Sequence, residues 1–200
     1  MGRKSINRER KPLNDKTKKW IRELTPLLQD KDLNKLTLDE LAVLAGKSKS
    51  TIYSYFSTKE EIYLTITQLV LMDLASAIAS EKLEEDDMEK ALSEMLWHIS
   101  QGIEGISIGY LEQLQSHFPD IWAIIEDFTS QVLSYLAMIY EKGMTKGTFK
   151  QFNVALLTAL DSHFVMNIMT DASRFSDQGL SLNDVVKEYL ELRLSALKAN

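Results

Sequence analysis

Six of the seven residues from Lys49 to Tyr55 (Lys49, Ser50, Thr51, Tyr53, Ser54 and Tyr55) end in a cation or a hydrogen-bonding group. Hydroxyls and one ammonium in such a run recognise rather than react. Small polar tips and phenols can hydrogen-bond to base edges and to phosphate oxygens. To act together they must leave one face of a rigid element. Ile52 and Phe56, at i and i+4, supply the opposite face of a helix and turn it inward.

The neighbouring residues are suited to building that helix. Thr37 and Glu40 have the spacing of a capping box, and Leu36 and Leu41 that of a hydrophobic staple. Leu38, Leu41, Ala42 and Ala45 share a face, and Gly46 follows where a left-handed helix end requires no Cβ. Ser48 can then cap a second helix reaching Phe56. Thr58 and Glu61 form another capping box, with Lys59 in the first turn of a third helix. The unpaired N–H groups and partial positive charge of that helix end suit a phosphate oxygen. A short helix with small polar tips, set after such a turn, fits a DNA major groove.

The stretch resembles the DNA-binding motif of the tetracycline-repressor (TetR) family of bacterial transcription regulators. The resemblance is carried by Thr37, Leu41-Ala42, Ala45-Gly46, Ser48-Lys49, Thr51-Ile52-Tyr53, Tyr55-Phe56 and Lys59-Glu60-Glu61-Ile62, above all by the run TIYSYFSTKEE. It covers about a quarter of the chain. It implies base-edge contacts from Lys49, Ser50 and Tyr53, and phosphate contacts from Thr37, Tyr55 and Lys59, with Thr51 and Ser54 on the same face. Tyr53 has a second reading, packing against the first helix with only its hydroxyl reaching out. Three positions depart from the family pattern. Lys47 stands where a small apolar residue is usual and must snorkel, Pro26 interrupts the first helix, and Asp32 replaces a common glycine.

Charge distribution agrees with this reading. The chain carries a net charge of −6, but residues 1–63 carry +5, residues 1–22 alone +7, and residues 64–200 carry −11. A basic N-terminal part beside an acidic remainder orients the molecule on a polyanion. Residues 1–11 read as a disordered arm, either a solvated tail or a backbone and minor-groove contact. With no cysteine, disulfides, thiolate metal sites and a cysteine nucleophile are excluded. The N-terminus lacks the apolar core of a signal peptide, and no apolar run looks long enough to cross a bilayer. No membrane association is expected, and the expected location is cytoplasmic.

Periodicity predicts helices throughout, with no strand pattern. Beyond the motif they fall at about Asn14–Gln29, which Pro26 should bend or end early, then Thr58–Ser80, Met88–Glu104 and Tyr110–Phe118. A helix from Pro119 to about Lys142 follows, then Asn153–Met169 and Ser181–Leu197. The acidic run Glu81–Asp87 should break the third-helix rod. The fold class is all-α, an N-terminal three-helix helix-turn-helix domain (1–63) joined to a larger helical ligand-binding and dimerisation domain (64–200). The last two helices carry broad apolar stripes that fit either intramolecular core or, by the resemblance, a homodimer interface.

Trp97, Tyr110, Phe118, Trp122, Met138, His163 and Met166, with Asp161 as a polar member, could line a cavity between the middle helices or simply be core. The resemblance implies a small-molecule effector pocket there. His98, His117 and His163 show no ligand spacing, so neither a metal nor a cofactor is expected. No nucleophile–base pattern or phosphate-cradling glycine loop is present, so an enzyme is not expected. The leading expectation is therefore a repressor that binds a palindromic double-stranded DNA operator as a dimer and is released by an effector. The alternative is a helical adaptor or sequestering protein whose helix-turn-helix has lost specific DNA binding.

Overall fold

The computed structural model describes residues 10–80, 87–170 and 178–199. Among them the chain forms nine helices: α1 (Asp15–Leu28), α2 (Leu38–Leu44), α3 (Lys49–Tyr55), α4 (Lys59–Ser80), α5 (Met88–Gly102), α6 (Ile108–His117), α7 (Pro119–Lys146), α8 (Val154–Thr170) and α9 (Leu182–Leu197). The sole extended pairing among these residues is a single bridge between Phe149 and Lys198. The all-helical expectation holds. The acidic run expected to break the rod lies, apart from Asp87, outside the described residues, and Asp87 caps α5 through Lys90 N.

Side-chain caps set most of the helix starts. Asn14 caps α1, Ser48 caps α3, Ser107 caps α6, and capping boxes at Thr37–Glu40 and Ser181–Asp184 start α2 and α9. Each satisfies amide donors that the helix itself leaves unpaired. The expected box at Thr58 is altered. Glu61 N does reach Thr58 Oγ1 at 3.3 Å, but the Glu61 carboxylate returns to Ser57 N at 2.8 Å instead. Pro26 does not break α1, which runs two residues further and ends at Leu28. It removes one i→i−4 hydrogen bond, but it lies in the last turn, so only two helical residues follow it.

Two expectations about helix length and polarity need correction. α7 does not stop near Lys142 but continues to Lys146, ending at Gly147 in the left-handed region (φ 77°). Gly143 is thus inside a helix, and Phe149 folds back over it, occupying the space a side chain would need. α4 is, by length and composition, apolar enough to span a bilayer over Lys59–Ala79. Its apolar surface has another use here, since α4 is a central helix packed against α1, α5 and α7.

Two buried clusters result. The larger joins α1–α3 and the start of α4 (Trp20, Leu24, Leu41, Ile52, Phe56, Tyr63) to α6, the first half of α7 and residues of α8 and α9. The smaller, at the far end, contains Leu92, Met95, Leu136, Tyr140, Phe149 and Leu197. A Cβ on Gly143 would lie 2.0 Å from Phe149 Cδ2. Gly143→Ala should therefore lower unfolding free energy by about 1–3 kcal/mol, read from urea denaturation, because the Phe149 ring has no free volume to move into.

Candidate nucleic-acid interface and internal cavity

Helix α3 is held from below. Ile52 and Phe56 are buried, with Phe56 edge-on to Trp20 of α1 at 6.3 Å between ring centroids. Lys47 solves its awkward position by placing its ammonium 6.0 Å from the Trp20 ring centroid, a cation–π contact at the surface. Gly46 takes the left-handed conformation (φ 60°) that turns α2 into α3.

The outward face is organised by hydrogen bonds of its own. Ser48 Oγ lies 2.9 Å from Ser50 Oγ and 2.8 Å from Thr51 Oγ1, so both hydroxyls are tied to the helix start. Ser54 Oγ donates to the Thr51 carbonyl at 2.7 Å. Tyr53 is 53% exposed, so more than its hydroxyl is open to solvent. Tyr55 is half-buried, tilted against Phe56. Lys49 pairs with the Asp39 carboxylate of α2, and the Tyr53 hydroxyl donates to the same carboxylate at 3.4 Å. That pairing raises the Lys49 pKa. Asp39 escaped the sequence reading because its partners come from another helix.

Two of the three expected phosphate residues, Thr37 and Lys59, are already engaged. Thr37 Oγ1 is committed to Glu40 in the capping box. Lys59 Nζ donates to the carbonyls of Leu33 and Asn34. At the start of α4, the Glu61 carboxylate occupies Ser57 N and pairs with Arg10 at 2.6 Å. Lys11 N also donates to the Ser54 carbonyl at 3.1 Å. Residues 10 and 11, read above as part of a disordered arm, are thus anchored to the motif; residues 1–9 lie outside the described residues.

Behind the motif, a cavity of about 190 Å³ runs between α1, α4–α9. Along α7 it is lined from Ile125 to Tyr140, roughly 22 Å at 1.5 Å per residue. It therefore spans from the larger cluster to the smaller. Of the residues expected to line it, only Tyr110 and Asp161 do. Trp97 is 58% exposed and stacks edge-on with His98, and His163 is exposed. Phe118 and Trp122 are buried in the larger cluster, where Phe118 meets Tyr63. Met138 and Met166 are half-buried outside the lining. Helical periodicity identifies an inward face but not which inward residues border a void.

The polar groups at the far end of the cavity form one cluster. Asp161, only 2% exposed, accepts from Arg193 Nε and Nη2 at 2.9 and 2.7 Å and from the Tyr189 hydroxyl. Its other oxygen accepts from the Tyr140 hydroxyl at 3.0 Å. Burial pushes the Tyr189 phenol up to about 12, with Asp161 adding to the shift. Tyr140 rises for the same two reasons. Burial works against the Arg193 charge, but Asp161 outweighs it and raises the guanidinium. Tyr140, Tyr189 and Arg193 were not singled out from sequence, since no spacing links them to Asp161. Among the described residues no group of three or more His, Asp and Glu is placed to hold a metal.

A second set of bonds ties the cavity wall to the motif. Leu33 N donates to Gln113 Oε1 of α6 at 2.7 Å, and Gln113 Nε2 donates to the Lys31 carbonyl at 2.9 Å. Ser107 N donates to Gln29 Oε1 at 2.7 Å. The loop between α1 and α2 is thereby clamped by the helix that also carries Tyr110.

Both the helix-turn-helix stretch and the fold match known proteins. Residues 25–66 match the family model described as bacterial regulatory proteins, tetR family. The chain is 24% identical over 116 residues to the uncharacterized HTH-type transcriptional regulator YvaF of Bacillus subtilis, covering 57% of this chain and 60% of that protein. The fold matches the TetR family transcriptional regulator PfmR from Thermus thermophilus at a TM-score of 0.66 and 24% identity, over 90% of this chain and 99% of the other. It also matches the ketosteroid transcriptional regulator KstR2 of Mycobacterium tuberculosis (TM-score 0.65, 18% identity, 96% and 100% covered). A third match is the fatty acid degradation regulator FadR from Bacillus halodurans (0.66, 20%, 92% and 97%).

Truncating one member of the buried pair tests its weight. Arg193→Met should cost about 3–5 kcal/mol in urea denaturation, because Asp161 would be left charged without its cation. Adding Asp161→Asn should recover much of that loss.

Proposed function

Because this chain belongs to the tetR family of bacterial regulatory proteins, we propose that it is a dimeric repressor that leaves a palindromic operator when a small molecule enters the cavity. The family and fold are those of transcription regulators rather than enzymes. Residues 1–63 serve as the DNA-reading unit and residues 64–200 as the effector and dimer unit, with α4 common to both. The cytoplasm is where such a protein meets its DNA.

The observation that carries the reading is the exposed Tyr53 ring beside Lys49 and Ser50, on a helix rigidly backed by Ile52 and Phe56. Lys49 and Tyr53 share Asp39 when DNA is absent. Operator binding exchanges that carboxylate for base edges, while Tyr55, Thr37 and Lys59 lie on the side facing phosphate. Lys59 must give up its loop carbonyls to do so.

Dimerisation is supported by the surface of the last two helices. Leu156 and Leu160 of α8 are 60% and 51% exposed, and Leu192 of α9 is 69% exposed. Ala155 and Ala159 share the exposed face of α8. Small and aliphatic side chains along one helix give a surface that a second copy can cover about a two-fold axis. Two motifs about 34–36 Å apart would then meet successive turns of the operator.

The effector response has a mechanical route. A ligand in the cavity presses on α4 through Ile66, Thr67 and Val70, and on α6 through Tyr110, Leu111 and Leu114. Both helices grip Leu33, α4 through Tyr63 and Lys59 and α6 through Gln113. A ligand that binds better to a shifted α6 would tilt the reading unit and lower operator affinity.

Purified protein should retard a fragment of its own upstream region, with affinity falling steeply as salt rises. Tyr53→Ala should weaken that binding about tenfold or more, on the scale of about 1–3 kcal/mol for a base contact. Unchanged operator affinity would rule out the assigned face, and a random-site selection yielding no preferred sequence would favour the adaptor reading. Gln113→Ala should leave operator affinity near wild type while reducing effector-induced release, measured in the same assay.

A further inference from the structure

The end of the cavity nearest the DNA-reading unit holds two buried hydroxyls with no hydrogen-bond partner among the described residues, Thr25 Oγ1 on α1 and Tyr110 OH on α6. Both side chains are at least nine-tenths buried, at 9% and 3% exposure. One further buried hydroxyl, Thr158 Oγ1 on α8, is also unpaired among the described residues but does not line the cavity. The other buried tyrosines are satisfied, Tyr63 by the Leu33 carbonyl and Tyr140 by Asp161. Half-buried Tyr189 also bonds Asp161. Several other helical hydroxyls close onto the carbonyl four residues earlier, as in Thr65, Ser76, Thr129, Ser134 and Thr145. Thr25 does not make that bond. Leaving such groups unpaired is costly, and each calls for a partner, a water or a ligand.

The remaining walls narrow the chemistry. For about 22 Å along α7 the lining is aliphatic and aromatic apart from Thr129, whose hydroxyl is bonded to the Ile125 carbonyl. Its only charged groups are Asp161 and Arg193, and these neutralise each other. A ligand carrying a net charge would be desolvated with no free counter-ion. Burial raises the Tyr110 phenol, which stays protonated and therefore a donor.

Resting on the reading that the cavity takes an effector, we infer that Thr25 and Tyr110 form the recognition subsite for one uncharged oxygen, a carbonyl or hydroxyl, on a long apolar effector. Tyr110 donates to that oxygen and Thr25 donates or accepts beside it. The effector's oxygen thus bridges α6 to α1, the first helix of the reading unit, while its hydrocarbon part extends toward Tyr140.

The test displaces Nile red from the full-length protein with decane, the methyl ketone of the same length, decanoate and decylammonium. The ketone should compete at about tenfold lower concentration than decane, with both ions weaker. Tyr110→Phe should bring the ketone to the level of decane and leave decane unchanged; Thr25→Val should do so in part. Both variants, free of ligand, should melt no lower than wild type, since each deletes an unpaired buried hydroxyl. Equal competition by ketone and decane, preference for either ion, or a ketone preference surviving Tyr110→Phe would overturn the oxygen subsite while the effector cavity stands. A lowered melting temperature in both variants would overturn it as well, by showing the hydroxyls to be structurally satisfied. Should none of the four compounds compete or shift the melting temperature, the effector-cavity reading fails, and the subsite with it.

Discussion

The arrangement depends on what is done with one loop carbonyl, that of Leu33. Tyr63, fully buried on α4, donates its hydroxyl there at 3.1 Å and lays its ring edge-on against Phe118, 5.1 Å between centroids. Lys59 donates to the same oxygen, and Gln113 of α6 accepts from Leu33 N. A buried residue whose N–H and C=O are held by three separate side chains leaves the loop little freedom. The orientation of α1–α3 relative to the helices behind them therefore follows from α4 and α6 rather than from a flexible linker.

The buried core is continuous with this constraint. The larger hydrophobic cluster passes without interruption from Trp20 and Phe56 through Tyr63 to Phe118, Trp122 and Ile168. The second cluster lies beyond it, around Leu92 and Tyr140. A void between two packed regions is where small displacements can be tolerated, since neither side is a continuous jigsaw across it. The cavity occupies that seam, and Thr25 brings the reading unit into its wall.

Polar groups follow a matching division. At the far end, Asp161, Arg193, Tyr140 and Tyr189 satisfy one another, and Phe164 stacks on Tyr189 with ring centroids 3.6 Å apart. Closed in this way, the ion pair contributes specificity of packing more than an open binding charge. At the near end the hydroxyls are left unpaired. On the outer surface, Asp39 holds Lys49 and Tyr53 together, a pairing between exposed groups that is weak enough for a polyanion to replace.

From the chain alone, the helices, most of their caps, the turn at Gly46 and the outward face from Lys49 to Tyr55 were legible. Each depends on residues within four or five positions of one another, the range over which capping and helical periodicity act. Thr58 was read half correctly, because Glu61 had a choice between two nearby amides. The end of α7 was misplaced near Gly143, which Phe149 covers, and the apolar length of α4 was underestimated. What only tertiary packing decided was which inward residues border the cavity and which charges meet. Asp39 with Lys49, Arg193 with Asp161, and Gln113 with the Leu33 loop join distant segments. Whether a buried side chain fills space or borders a void depends on the volume left by several helices at once, which no local pattern records.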